Sequence, residues 1–109
     1  MKIPATLKAA TLALTIFTAT TSNAADTYVV GNITNVTSYP GGMLIMMDNG
    51  VPTNCIGTPS GWMLIRSENK TMIAMALTML AMGKRNAAVY TSGILSSGYC
   101  EIGQYDPTE

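Results

Sequence analysis

The segment from Asn69 to Arg85 constrains the fold more than any other part of this chain. It reads NKTMIAMALTMLAMGKR, contains no proline, and has its single glycine, Gly83, close to its end. Ser67 or Asn69 can cap the first turn of a helix, and Gly83 suits the position just beyond the last turn. The segment therefore predicts about four turns of α-helix.

The apolar surface of this predicted helix is wider than a single packing contact requires. At 100° per residue one stripe holds four methionines, and a neighbouring stripe holds Ile73, Leu77 and Leu80. The methionines are Met72, Met75, Met79 and Met82. The segment is too short to span a membrane, so a core helix packed on a sheet accounts for most of the stripe. The remaining apolar side favours contact with another subunit, which makes the four methionines candidates for an oligomer interface.

The same methionine spacing allows a third interpretation. Thioethers are soft ligands that suit Cu(I), and the spacing aligns four sulfur atoms along the helix. Any buried helix seam produces this spacing as well, and the chain has no histidine to complete a copper site. We therefore predict no metal or other cofactor and keep Cu(I) binding as the third alternative.

The chain begins MKIPATLKAATLALTIFTATTSNA, which has the layout of a secretory signal peptide. Lys2 and Lys8 precede an apolar segment, and Ser22 and Ala24 are the small residues of a cleavage site. The apolar segment has only ~10 residues, whereas ~20 are needed to span a bilayer. We predict a signal peptide over residues 1–24, with cleavage after Ala24 or, second, after Ala25.

The remaining residues, 25–109, form one small domain that needs a covalent staple or a partner for stability. Cys55 and Cys100 are the only cysteines, and export would deliver them to an oxidising compartment. We predict a disulfide between them, with two free thiols as the alternative. Closing such a loop contributes ~4 kcal/mol in the chain-entropy model.

Removal of Lys2 and Lys8 changes the charge balance of the chain. Four basic and six acidic side chains remain, which gives a net charge of −2. Nucleic-acid binding requires a basic face, and adsorption to anionic lipid requires basic residues as well. The charge therefore argues against both kinds of partner.

Strand-like segments lie on both sides of the predicted helix. They cover residues 27–39, 43–47, 62–66, 87–93 and 99–105. The continuously apolar Met43–Met47 indicates a strand covered on both faces. Pro40–Gly42 predicts a turn, Asn49-Gly50 predicts a type I′ hairpin, and Gly31 predicts a bulge. The expected order is β-β-β-α-β-β, a mainly β fold with one helix.

The sequence offers little for catalysis. Without histidine the chain lacks the usual general base and the usual partner of a serine or cysteine nucleophile. Most of the carboxylates fall at turns, helix ends and chain ends, and nothing in the sequence brings Glu68 and Glu101 together as an acid–base pair. No glycine-rich phosphate loop is present. We predict a protein that binds rather than one that catalyses.

Aromatic side chains are the best candidates for binding. Trp62 and five tyrosines offer rings with polar tips, which suit stacking against sugars or packing at an interface. Any single ring can equally fill the core of a small β domain. Trp62 is the ring we assign to a ligand site from the residues alone.

The predicted order of three strands, one helix and two strands within about 85 residues is that of an OB-fold. DTYVVGNITNVTSYPGG resembles the start of the B subunits of bacterial A–B toxins, and Met72, Ala76, Gly83 and AAVY resemble their helix and fourth strand. With the signal peptide and the disulfide, the chain is most similar to the B subunits of subtilase cytotoxin and of typhoid-toxin-like proteins. Two features depart from that family: a second cysteine pair is missing, and methionines replace an aromatic-rich helix.

The resemblance implies a function. Such B subunits form rings around their helices and bind sialylated glycans, which would place a sugar near Thr37, Ser38 and Tyr39. We therefore expect a secreted or periplasmic bacterial protein, small, non-enzymatic and homo-oligomeric, that recognises glycan. The main alternative is a partner-binding or structural protein without a sugar site.

Overall fold

A computed structural model describes residues 27–108. The predicted signal peptide and its cleavage at Ala24 or Ala25 lie outside this range. Residues 27–108 are mainly β structure with one α-helix, a five-stranded sheet and one disulfide, as the sequence predicted. Within them no helix is long and apolar enough to cross a membrane.

The elements follow the predicted segments to within a few residues. The strands and the helix are β1 Tyr28–Tyr39, β2 Gly42–Met47, β3 Met63–Arg66, α1 Lys70–Ala81, β4 Asn86–Ile94 and β5 Cys100–Pro107. Two short 3-10 turns, Thr53–Cys55 and Pro59–Gly61, lie between β2 and β3. Patterns of β-branched and apolar residues bounded by glycine and proline were thus enough to locate every strand.

The sheet closes on itself in the order β1-β2-β3-β5-β4, because β1 also pairs with β4. Four of the five pairings are antiparallel, and β3 and β5 run parallel with Met63 opposite Cys100. Among residues 27–108 each strand of the sheet therefore has a neighbour on both sides, and binding would use the outer surface of the sheet, its ends or the helix.

Alternate strand residues fill the interior. Ile33, Ile45, Ile65, Val89 and Ile102 are fully buried, and one side of α1 packs against them. The helix residues that contact this core are Met72, Ile73, Ala76, Met79 and Leu80. Neighbouring β2 residues that face opposite sides, Leu44 and Ile45, are both buried, which confirms that both faces of this strand are covered.

Gly83 ends the helix as predicted. Its φ of 79° lies in the left-handed region, and the Lys84 N–H donates a 2.9 Å hydrogen bond back to the Met79 carbonyl. This is a Schellman arrangement, which satisfies carbonyls that the last turn leaves free. At the other end Asn69 occupies the cap position, although its side chain makes no capping hydrogen bond.

The predicted Asn49-Gly50 hairpin is wrong. Asn49 does not adopt the positive φ of a type I′ turn, and β2 is joined to β3 by a long connection. The reason is that both polar side chains of the turn bond back to β1. Asp48 accepts hydrogen bonds from Asn32, and the Asn49 amide donates to the Val30 carbonyl.

The predicted bulge at Gly31 is also misplaced. The register of β1 against β2 shifts between Ile33 and Asn35, so the extra residue is Thr34. Gly31 is glycine for a different reason: a Cβ there would collide with the side chains of Asp48 and Asn49. The glycine makes room for the bonds that hold the end of β2 against β1.

The disulfide fixes the long β2–β3 connection to β5. Cys55 and Cys100 are fully buried with Cα atoms 5.2 Å apart, which confirms the predicted pairing. The Thr58 hydroxyl accepts a hydrogen bond from the Cys100 N–H at 3.1 Å. Nearby, the Asn54 side chain bonds to both the hydroxyl and the carbonyl of Thr91 in β4. Because its own regular structure is limited to two short 3-10 turns, this connection depends on these links.

Candidate functional site

The turn between β1 and β2 is held in place by two glycines. The Ser67 N–H donates a 2.9 Å hydrogen bond to the Gly41 carbonyl, which ties the turn to the end of β3. Gly42 has a φ of 145°, and a Cβ there would collide with the Ile65 carbonyl. The turn therefore has little freedom to move relative to β3.

Tyr39 is positioned by this turn. Its ring lies over Gly41, where a Cβ would collide with the phenol. On its other side it meets Tyr99, which precedes β5, with ring centroids 5.5 Å apart and planes at 57°. Aromatic pairs favour such tilted contacts. Two distant parts of the chain thus form one aromatic wall.

An open cleft of about 330 Å³ adjoins this wall, and we call it the turn cleft. The β1–β2 turn, the end of β3 and the β4–β5 loop surround it. Its lining includes Tyr39, Gly41, Arg66, Glu68, Ser96 and Ser97. Aromatic, cationic and hydroxyl groups therefore converge on one accessible space, which is the composition of a site for a polar ligand.

Arg66 is the cation of the turn cleft. Its guanidinium lies 2.6 Å from a Glu68 oxygen and 3.5 Å from a Glu101 oxygen. Glu101 also accepts a 2.9 Å hydrogen bond from the Ser92 hydroxyl. The pKa of Glu68 is lowered, first by its own backbone N–H and then by the charge of Arg66. Two carboxylates that the sequence left unconnected are thus joined through one arginine.

The four predicted ligand residues do not form one site. Tyr39 lines the turn cleft, whereas Thr37 and Ser38 line an adjacent groove beside Leu77 of the helix. Trp62 precedes β3 at the end opposite Arg66, because Arg66 pairs with the turn residue Gly42. Ser97, Tyr99 and Arg66 were missed, because the contacts among these loops depend on strand register rather than on a local pattern.

The predicted methionine stripe is divided between two environments. Met72 and Met79 are half-buried and pack against the core. Met75 and Met82 are 44% and 59% exposed. The inner pair stabilises the core, and the outer pair offers the larger exposed surface for contact with another molecule. Leu77, 51% exposed, extends this apolar surface.

We call this surface the outer helix face: Thr71, Ala74, Met75, Leu77, Thr78 and Met82. A shallow groove runs along it, lined by Thr71, Ala74, Met75, Thr78 and Met79, with Lys70 at one end. Within α1 the single charged residue is Lys70, at its beginning. Large and small apolar groups side by side without charge are characteristic of a surface that packs against protein.

Within residues 27–108, no three or more His, Cys, Asp or Glu side chains are grouped so that they could hold a metal ion. Comparisons with protein-family models, curated proteins and solved structures found no significant match to this chain. Its function must therefore be inferred from the turn cleft and the outer helix face themselves.

Proposed function

We propose that this chain is an exported, non-enzymatic binding protein whose closed sheet is an OB-fold. The strand order, the parallel β3–β5 pair and the helix between β3 and β4 support the fold assignment. The buried Cys55–Cys100 disulfide supports export, because disulfides persist in oxidising compartments.

The ligand in this proposal is a glycan, and the turn cleft is its site. The observation that carries the proposal is the Tyr39 ring, packed against Tyr99, which lines an open cleft together with Arg66. A tyrosine ring can stack on the C–H face of a sugar, while the serine hydroxyls bond to its polar groups.

A sialylated sugar can also use the charge of Arg66. Its carboxylate can accept charge-assisted hydrogen bonds from the guanidinium. To do so it must replace Glu68, and this exchange costs little because the Arg66–Glu68 pair is exposed. The resemblance to toxin B subunits implies this same class of sugar, near Thr37, Ser38 and Tyr39.

The outer helix face completes the proposal as the contact between copies of the chain. Met75, Leu77 and Met82 expose apolar surface that a second copy would cover. The same observation favours the alternative function, a protein that binds a partner or has a structural role and has no sugar site. The two functions differ in whether a glycan binds.

A glycan array probed with the chain lacking residues 1–24 tests the proposal. Tyr39→Ala should lose at least tenfold of the signal for sialylated glycans, because it removes the aromatic wall. Tyr39→Phe should retain most of it, and Ile56→Ala, an exposed position outside the turn cleft, serves as the control. Equal binding by wild type and Tyr39→Ala, or no binding to any glycan, would contradict a sugar site in the turn cleft.

A further inference from the structure

A second surface carries aromatic rings on the outside of β1, β4 and β5. The register places Tyr28 opposite Tyr90 and Tyr90 opposite Gln104. The next outward row contains Val30, Ala88 and Asp106. Directly opposite side chains in a sheet are close neighbours, so these two rows form one continuous surface. We call the six residues the tyrosine platform.

The two rings form the centre of the tyrosine platform. Their centroids are 5.5 Å apart and their planes differ by only 29°. Tyr28 is 50% exposed and Tyr90 37% exposed, so each ring keeps a large part of its surface in contact with solvent. Exposed aromatic rings that stack on one another, instead of entering the core, are available to a ligand.

Polar groups border the rings on one side. Gln104 continues the row of the tyrosines on β5, and its amide can both donate and accept hydrogen bonds. Asp106, in the next row, adds an exposed carboxylate that accepts them. Between Asp106 and Val30 lies Ala88, which is only 6% exposed, so the accessible part of this row is Val30 and Asp106.

The charge of the tyrosine platform selects among ligands. The two rows contain one carboxylate and no basic residue, so an anionic sugar or a nucleic-acid strand would be repelled. A quaternary ammonium group is recognised by rings that surround it as a cage. The two rings stack on each other and do not surround a cation, but the face of Tyr90 that Tyr28 leaves free can pack against the flat C–H face of a pyranose.

We infer that the tyrosine platform is a binding site for a neutral pyranose sugar. The ring of the sugar stacks on Tyr90, which Tyr28 supports from the other side, and its hydroxyls bond to Gln104 and Asp106. This site is separate from the turn cleft, because Tyr28 and Tyr39 lie at opposite ends of β1. It differs also in ligand class, since the turn cleft contains the basic residue Arg66 and the tyrosine platform contains a carboxylate and no basic residue.

Titration with neutral oligosaccharides, observed by saturation-transfer NMR and calorimetry, tests the inference. Maltotriose, cellotriose and a β-1,4-galactobiose are suitable probes. Tyr90→Ala should weaken binding at least tenfold and Tyr28→Ala, which removes the ring behind Tyr90, by a smaller factor, whereas Tyr28→Phe and Tyr90→Phe should stay within threefold because both rings remain. Gln104→Ala should weaken binding by a smaller factor.

The controls separate this site from the turn cleft. Ile56→Ala should bind the neutral sugars as wild type does, and thermal unfolding of each variant confirms that it is folded. Binding of a sialylated trisaccharide by the same variants reports on the turn cleft alone, so either site can fail without the other. The inference is overturned if none of the neutral sugars binds. It is also overturned if the alanine variants bind them unchanged, or if they lose self-association instead of sugar binding.

Discussion

The backbone N–H of Asn32 donates a 2.9 Å hydrogen bond to Oδ1 of Asp48 and so ties the end of β2 to the middle of β1. The Asn32 amide also donates to Oδ2 of the same carboxylate at 3.2 Å. These bonds lower the pKa of Asp48, with the bond from the Asn32 backbone the largest cause. The carboxylate therefore holds the chain where the long β2–β3 connection begins.

Gly31 is the residue that permits this contact, and Gly31→Ala should destabilise the fold by about 1–2 kcal/mol. The added methyl group would collide with Asp48 and Asn49 and force their side chains away from β1. Urea unfolding at pH 7 measures the change. Gly103→Ala is the matched control, since a Cβ there meets no atom within 4 Å. An equal loss in both variants would indicate a general strand effect rather than the contact with Asp48.

The disulfide should account for a large part of the stability. The bond between Cys55 and Cys100 spans 45 residues, and the chain-entropy model gives about 4 kcal/mol for a loop of that length. The Cys55→Ser, Cys100→Ser double variant should lose about this amount in urea unfolding. Reduction of the wild type should produce the same loss, which controls for the serines. A fully reduced protein with unchanged stability would show that the hydrogen bonds of Asn54 and Thr58 hold the connection unaided.

Signals carried by a few consecutive residues were enough to predict most of the fold. Gly83 was placed beyond the end of the helix because the C′ position favours glycine wherever a helix ends. Met43–Met47 was predicted to be covered on both faces because such apolar runs are seldom exposed. Both signals are local, and the structure confirms both.

The turn cleft could not be predicted in the same way. It forms because the register of β2 against β3 brings the turn residue Gly42 beside Arg66, and because the β4–β5 loop returns beside Tyr39. Register is set by side-chain packing across strands that are far apart in sequence. The hairpin predicted at Asn49-Gly50 failed for a related reason. A hairpin would leave the Asn49 side chain in solvent, whereas this side chain donates a hydrogen bond to the Val30 carbonyl of β1.

Tyr105 presents a buried hydroxyl without a hydrogen-bond partner, and Tyr105→Phe should stabilise the protein by about 1 kcal/mol at pH 7. The side chain is 6% exposed, and phenylalanine fills the same space without a polar group. Urea unfolding of the two proteins measures the difference. A less stable phenylalanine variant would mean that a buried water molecule bonds the hydroxyl in solution.

The same residue should make stability fall at alkaline pH. Burial raises the pKa of Tyr105 above its ordinary value of 10.0, so the unfolded chain loses this proton at lower pH than the folded protein. The titration of Tyr105 therefore leaves the free energy of unfolding unchanged below about pH 10. Above that, the free energy of unfolding falls as the pH rises through the pKa of Tyr105 in the folded protein. The stability advantage of Tyr105→Phe should therefore widen between pH 9 and pH 11, as measured by urea unfolding across that range. A constant advantage would contradict the raised pKa.

Gly41→Ala should act on ligand binding more than on stability. The added Cβ would meet the Tyr39 phenol, which is the movable end of a side chain, so the ring can swing away from Tyr99. We expect at least a tenfold loss of sialylated-glycan affinity with a change in the near-UV circular dichroism of the tyrosines. Gly103→Ala, in β5 where a Cβ meets nothing within 4 Å and φ is not positive, controls for glycine replacement. Full affinity in Gly41→Ala would exclude the wall of Tyr39 and Tyr99 from the sugar site.

The outer helix face predicts self-association that depends on Leu77 and Met82. Light scattering should give a multiple of the monomer mass for the wild type, because two copies can cover each other's apolar surface. Leu77→Glu with Met82→Glu should give the monomer and remain folded, since both side chains are more than half exposed and a charge there stays in water. Ile56→Glu places the same charge on an apolar residue outside this face that is 71% exposed, and it should remain oligomeric. A wild type that is monomeric at high concentration would contradict self-association through the outer helix face. This face would then be available to bind a different protein, as the partner-binding alternative requires.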